Sequence, residues 1–392
     1  MGSSSCKCLI GRKNKSLEEE YKNSKVQLLI GLQENEKIKE LNAILQCLCH
    51  IDEIANYFIY KFKNIEKKQS YSLYHQSGNC LTDSLKNIFE KLWPKIKRKY
   101  QNEQIISKIE DSKEFLEMIY NVKPEYTENK ENLLEIILLR LHQELNTANS
   151  INNQNEIKAE INIESAFKNY LRIFCENNKS IISDIFYGTY YEITFCKQCG
   201  NSFYIFKPYI YGFYFLNEIY QYKTSGMNTL YMNNNISFLN INEINIYDCL
   251  IFDQRLQDYQ QMMNNNQQIC NFCNTNAFCT YKNIIYIAPK ILTFIFRYNI
   301  IFLQNIKFVI QEMININEIY QFVENPVNIK YYLIGMVYNV FEGHYVAYCK
   351  NPVDKQWYYY DDNNVEKKGS FQEIYPSIAY RFPFLLFYQA AK

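Results

Sequence analysis

The chain has 392 residues, 47% hydrophobic and 21% charged, and its 42 Lys plus Arg nearly balance 41 Asp plus Glu for a net charge of +1. That length and apolar content allow a large packed core in one or two domains, and the charge balance excludes the basic footprint of a nucleic-acid-binding protein. No apolar signal region opens the chain and no run of 18 apolar residues occurs, so neither export nor a membrane-spanning helix is expected.

Residues 1–26 read as a polar, charged leader. Its start, "MGSSSCKCLIGRKNK", carries Gly2, Cys6, Cys8 and the basic Arg12, Lys13 and Lys15, the pattern of a myristoyl and palmitoyl anchor. Cys6 stands where Ser or Thr is preferred, so a membrane-peripheral location ranks below a cytoplasmic one, and membrane contact is expected only if Gly2, Cys6 or Cys8 is lipidated. "SKVQLLIGL" is a short apolar run ending near Gly31. The polar "ENEKIKE" (Glu34–Glu40) follows, and then Leu41, Ile44, Leu45 and Leu48 mark one face of an amphipathic helix. Residues 81–146 are helical in pattern, with Thr82 and Asp83 as a cap signal and "ENLLEIILLRLHQELN" as a long helix. From about Thr189 the runs turn β-branched and aromatic ("TYYEITF", "IIYIA", "ILTFIF", "KYYLIGMVYNV", "HYVAYC"), as strands do. Helices first and strands later predict the α+β class. Two Asn- and Gln-rich segments, near 221–246 and 254–269, read as loops or extended insertions.

Thirteen cysteines in a chain of this length and setting are reduced core residues or metal ligands before they are disulfides. "CKQC" supplies Cys196 and Cys199, and "CNFC" supplies Cys270 and Cys273. Two C-x-x-C knuckles flanked by strands predict one tetrahedral structural zinc, closed to substrate by its four thiolates. Only four histidines occur: His50, His75, His142 and His344. His344 lies in "EGHYVAYCKNPVDKQWYYYDDNNV", which reads as strand, turn around Asn351–Lys355, and strand, and can set Asp361 beside the imidazole. A carboxylate there fixes the tautomer of a nucleophile's base. From the hairpin alone, an ordinary half-buried histidine among tyrosine-rich strands is the more economical reading.

Taken in order, these motifs resemble the catalytic domain of the ubiquitin-specific proteases, papain-like cysteine deubiquitinases. "GHYVAYC" with "WYYYDDNNV" resembles the family's histidine box, "FYG" leads into the first knuckle, "APKILTFIF" follows the second, and "FLLFYQ" resembles the C-terminal end. The resemblance covers roughly residues 27–390. It implies a hand with a helical thumb (about 27–180) followed by a β palm and zinc-ribbon fingers (about 181–392), in a domain of 27–392 after the leader.

The same resemblance locates a break. Gly31, Leu32, Asn42, Ala43, Leu45 and Gln46 match the family's cysteine box without a gap, but its cysteine position holds Lys39 and its oxyanion-hole asparagine is Lys37. A protonated lysine is no thiolate, and its attack on a carbonyl would end in a stable amide. Cys47 lies eight residues along the helix, about 12 Å away at 1.5 Å per residue. Cys49 is farther still, and Cys349, five residues from His344 on one strand, faces the opposite side of the sheet; none replaces the nucleophile. Asn129 and Asn132 stand where the family has acidic residues that hold ubiquitin's basic tail, and Asn339 stands where it usually has a histidine. The expected function is a non-catalytic scaffold or protein-interaction module, a pseudoenzyme retaining His344 and Asp361 as remnants. A pseudoenzyme that binds ubiquitin, at best weakly, is the alternative; an active deubiquitinase ranks below both. Protein partners are expected, nucleic acid is not, and a place in a large cytoskeletal or ciliary assembly is a further expectation that no motif names.

Overall fold

The computed structural model describes residues 30–34, 38–62, 80–93, 109–110, 112, 115, 117–119, 132–148, 159–225, 242–255, 257–258, 270, 272–273, 279–299, 303, 305–318, 330–341 and 343–391. The leader with Gly2, Cys6 and Cys8, together with Lys37, His75 and Asn129, lies outside them.

The N-terminal half is helical: β1 (Gly31–Leu32), α1 (Leu41–Cys49), α2 (Asp52–Asn56) running into a π-turn over Tyr57–Lys61, α3 (Leu81–Leu92), β2 (Ile109–Glu110), α4 (Leu133–Leu145), α5 (Ile163–Asn177) and α6 (Ile181–Phe186). The sequence predicts α1 as amphipathic, but all nine of its residues are buried. It is a central helix, not a surface one. Its two amides tolerate burial because each is hydrogen-bonded, Gln46 Nε2 donating to the Ile30 carbonyl at 3.0 Å and Asn42 Nδ2 to the Gln33 carbonyl at 2.8 Å.

The cap of α3 also differs from expectation. Cys80 is its N-cap and makes no side-chain cap bond. The carboxylate of Glu144, on α4, takes the orphan N–H groups instead, accepting from Leu81 N at 3.2 Å and Thr82 N at 2.8 Å, from Thr82 Oγ1 at 2.6 Å and from Arg140 Nε at 2.7 Å. A charge-assisted cap from another helix satisfies the same donors as a local one and also pins α3 to α4.

The C-terminal half carries the sheets. β3 (Gly188–Cys196), β4 (Ser202–Tyr209), β7 (Gln257–Asp258) and β8 (Cys279–Ile287) form an antiparallel sheet in the order β4-β3-β8-β7. A larger sheet runs in the order β15-β14-β13-β12-β16-β9-β5, with β11 (Met313–Asn315) paired to β12. Its strands are β5 (Gly212–Phe215), β9 (Ile291–Arg297), β12 (Lys330–Phe341), β13 (His344–Lys350), β14 (Trp357–Asp361), β15 (Asn364–Gly369) and β16 (Leu385–Ala390). β6 (Glu243–Asn245) and β10 (Lys307–Val309) pair separately, and α7 (Leu216–Thr224), α8 (Ile246–Asp253), α9 (Phe371–Ile378) and a 3-10 turn (Ile316–Glu318) complete the described elements. The segment expected to be loop near 221–246 ends as the strand β6, whose Asn245 opens α8 with a capping box to Asp248.

Alternation along the large sheet divides two cores. Val337, Ala347, Cys349, Tyr358, Tyr360, Leu385 and Phe387 face the helices α1, α3 and α4. Their neighbours Met336, Tyr338, Val346, Tyr348, Trp357, Leu386 and Tyr388 face the other way, with Phe371, Ile374 and Ile378 of α9. Side chains of a strand point alternately to its two faces, and both faces here are covered. That is why these strands read as continuous apolar runs.

His50, just past α1, sits at this helix–sheet seam. Its Nδ1–H donates to the Gln46 carbonyl at 2.7 Å and its Nε2 accepts from Tyr360 Oη at 2.9 Å, which suits only the neutral ring. Burial pushes its pKa down from 6.5 to about 4. The unfolded chain therefore binds this proton more readily, and stability present above pH 6.5 is lost as pH falls towards 4. At about pH 4.5 this one group is expected to cost about 2 to 3 kcal/mol relative to about pH 7. Urea midpoints at the two pH values check it, and His50→Gln flattens the difference by that amount.

Candidate functional site

The β13–β14 hairpin sets the histidine and the aspartate. Its strands pair Ala347 with Tyr360 and Lys350 with Trp357, across the turn anticipated at Asn351–Lys355. In that turn Lys355 N donates to the Asn351 carbonyl, and Lys355 has φ of 61°. His344 at the start of β13 and Asp361 at the end of β14 are thus diagonal neighbours, with Nε2 and Oδ1 2.7 Å apart. Both side chains are about 30% exposed, open enough to meet a second molecule. Tyr359 Oη donates to the other Asp361 oxygen at 3.1 Å, and the Phe341 ring stacks on the imidazole at 5.0 Å with 14° between planes. The imidazole is held on its edge by a carboxylate and on its face by a phenyl ring.

The thumb reaches this hairpin through Asp362, which the sequence reading did not single out. Asp362 occupies the left-handed region at φ of 46°. Its carbonyl accepts from Leu32 N at 3.0 Å and its Oδ1 accepts from Asn42 Nδ2 at 2.7 Å. Ser112 Oγ donates to Asn42 Oδ1 at 2.9 Å. Burial raises the Asp362 pKa, offset by the Asn42 bond and the His344 charge, while Asp361 and Glu34 raise it further. The doubled acid in "YYYDDNN", followed by turn-forming asparagines, was the available signal. Gly31 matters for the same contact: a Cβ there would lie 2.6 Å from the Asp362 carbonyl oxygen and 2.7 Å from that of Asn363.

Lys39 precedes α1 and its N-cap Glu40, and is exposed. Its side chain lies along Gly343, so close that a Cβ on Gly343 would sit 2.7 Å from Nζ and 2.8 Å from Cδ. Gly343 has φ of 74° and closes the short turn directly before His344. The amine is therefore brought to the foot of the histidine strand. The thiols of Cys47, Cys49 and Cys349 lie in the core. Cys47 and Cys349 face each other across the α1–sheet contact with sulfurs 3.7 Å apart, both buried, and burial raises the pKa of Cys349 and of Cys49. Asn132 is the N-cap of α4, without a side-chain cap bond, and Asn339 lies in β12 opposite Tyr345.

The two knuckles converge, although 71 residues separate Cys199 from Cys270. Sulfurs of Cys196, Cys199, Cys270 and Cys273 all lie within 4.8 Å of one another, and Cys199 and Cys270 are 3.8 Å apart. Bonds of about 2.3 Å in a tetrahedron separate sulfurs by about 3.8 Å, so the set fits a metal ion. N–H groups of the Asn201 backbone and side chain push the Cys199 pKa down to about 6, while Cys196 and Cys270 are raised, so it is the geometry of the four sulfurs that carries the metal reading.

The family model described as "Ubiquitin carboxyl-terminal hydrolase" matches residues 40–388, and the chain belongs to that family. The match begins one residue after Lys39. The chain is 23% identical over 397 residues to ubiquitin carboxyl-terminal hydrolase 2 of Bos taurus, covering 98% of this chain and 59% of that protein. It is 23% identical over 385 residues to the Homo sapiens protein of the same name, covering 94% and 56%. It thus spans under two thirds of the length of these relatives. Its fold resembles a yeast SAGA DUB module structure (TM-score 0.60, 17% identity, 96% of this chain and 70% of that one). It also resembles the SAGA DUB module of Ubp8, Sgf11, Sus1 and Sgf73 bound to monoubiquitin (TM-score 0.58, 17% identity, 93% and 70%).

Replacing Asn42 by Leu would leave the Asp362 carboxylate, the Gln33 carbonyl and Ser112 Oγ without this partner. Ser112 is buried and Asp362 half-buried, and a polar group stranded away from water costs about 1 to 3 kcal/mol. Asn42→Leu is expected to lower stability by about 2 to 4 kcal/mol in denaturant melts, with Gly31→Ala destabilising through the steric route.

Proposed function

We propose that this chain is a non-catalytic ubiquitin-specific-protease-like protein that acts as a scaffold or protein-interaction module. The observation that carries the reading is Lys39 itself. At the position that the resemblance assigns to the family's nucleophile, the chain has a primary amine whose side chain lies along Gly343, the residue before His344. The His344–Asp361 pair can still orient a proton acceptor, but an acyl group taken by an amine stays as an amide, so no second half-reaction follows. Lys37, at the family's oxyanion position, offers a flexible point charge where a set amide is needed.

A second reading, a pseudoenzyme that still holds ubiquitin, draws support from the preserved palm and from the resemblance to a module bound to monoubiquitin. The neutral Asn129 and Asn132 argue for weak binding, because a basic tail loses two charge-assisted partners. The test uses ubiquitin carrying a thiol-reactive electrophile at its C-terminus. The purified chain is expected to remain unlabelled and to leave a fluorogenic ubiquitin amide uncut. Covalent labelling at any residue accompanied by turnover would overturn the proposal. Titration of labelled ubiquitin by NMR separates the two readings, since a pure scaffold leaves the spectrum unchanged.

The metal in the knuckles is proposed to be zinc, held by Cys196, Cys199, Cys270 and Cys273 and purely structural. Purified protein is expected to carry one zinc per chain by elemental analysis. Cys199→Ser is expected to lower that content and the melting temperature, with the loss concentrated in the β4-β3-β8-β7 sheet by hydrogen exchange.

A further inference from the structure

A cavity of about 220 Å³ opens where the β3–β4–β8 sheet meets the edge of the palm at β5 and β9, with Leu250 and Asp253 of α8 also lining it. It lies apart from the His344 hairpin and from the four cysteines, and nothing above uses it. Its wall is aromatic: Tyr190, Tyr211, Phe213 and Tyr214 all line it. Its other polar side chains are Tyr209, Asp253 and Asn283. Asp253 supplies a carboxylate, and Asn283 supplies an Oδ1 that is buried and accepts no hydrogen bond from any described residue. Among the described residues lining it there is no lysine, arginine or histidine.

We infer that this cavity binds an alkylammonium group, either a free amine or the lysine side chain of a partner protein. Aromatic faces are electron-rich and attract cations, most strongly where water is excluded. A half-buried carboxylate and an unfilled carbonyl acceptor lining the same cavity suit a ligand with both positive charge and N–H donors. Tyr214 Oη donates to Asp253 Oδ2 at 2.5 Å, which orients the carboxylate without neutralising it. Arg255 is the nearby counter-charge, but its guanidinium stacks on the Phe252 ring at 3.3 Å, outside the lining. Burial still pushes Asp253 up to about 6, the mark of an anion short of compensation. Size agrees as well. Pockets for drug-sized ligands run from about 300 to 1,000 Å³, so this one is scaled to a head group or a single side chain.

The test is titration of the full chain with n-butylammonium, against 1-butanol as its neutral counterpart and tetramethylammonium as a cation without N–H. Butylammonium is expected to bind about tenfold or more tightly than butanol, with tetramethylammonium between them. Asp253→Asn is expected to weaken butylammonium about tenfold, and Phe213→Leu, at a half-exposed position, about threefold. Both variants are compared at unchanged melting temperature, and the second covers the case in which the first does not fold. A blocked Gly-Lys-Gly tripeptide binding as well as butylammonium or better assigns the site to a partner's lysine; weaker binding assigns it to a free amine. Equal affinity for butanol and butylammonium, no saturable binding of butylammonium, or full affinity in both variants would overturn the inference.

Discussion

The hydrogen bonds from Asn42 and Leu32 to Asp362 hold the helical half of the molecule to the histidine hairpin. They join the N-terminal strand, the central helix and the β14–β15 corner at one residue in a left-handed turn. Because Asn42 lies three residues after Lys39, on a wholly buried helix, this contact also fixes where position 39 sits. The approach is tight enough that Gly31 has no room for a Cβ. These two polar contacts hold α1, and position 39 just before it, against the corner that follows Asp361.

That arrangement separates what the family fold supplies from what this chain has altered. The imidazole retains a carboxylate at hydrogen-bond distance, a phenyl ring over its face and partial exposure. The thiols available nearby are folded into the helix–sheet core, where burial keeps Cys49 and Cys349 protonated. Lysine at position 39 costs the fold little. Its stem rests on Gly343, and the residue stays exposed, so its charge keeps contact with water. A lysine at this position is thus compatible with the fold, and the non-catalytic reading proposed above rests on its chemistry: an amine is no thiolate.

Much of this was legible in the residues. The order of helices and strands, the His344–Asp361 hairpin with its turn, and the meeting of two distant C-x-x-C knuckles all follow from local pattern and motif spacing. What escaped depended on long-range contact. The helix Leu41–Cys49 reads as amphipathic because Asn42 and Gln46 are polar, and only tertiary partners on Ile30, Gln33 and Asp362 reveal that both are buried. The cap of Leu81–Leu92 comes from Glu144, 62 residues beyond Thr82, which no local cap rule can find. The roles of Gly343 and Phe341 rest on a turn whose closeness to Lys39 has no signature in one dimension. The tyrosine-lined cavity combines residues from strands and a helix far apart in the chain.

We propose that position 39 is the nucleophile position of a site that keeps its His344–Asp361 pair. It is tested most directly by placing a thiol there, in Lys39→Cys, and measuring its alkylation rate by iodoacetamide against pH. A thiol beside the His344–Asp361 pair is predicted to titrate well below the ordinary value of about 8.5, and adding His344→Ala is predicted to return it there. An introduced thiol that titrates near about 8.5 with His344 intact would contradict the account.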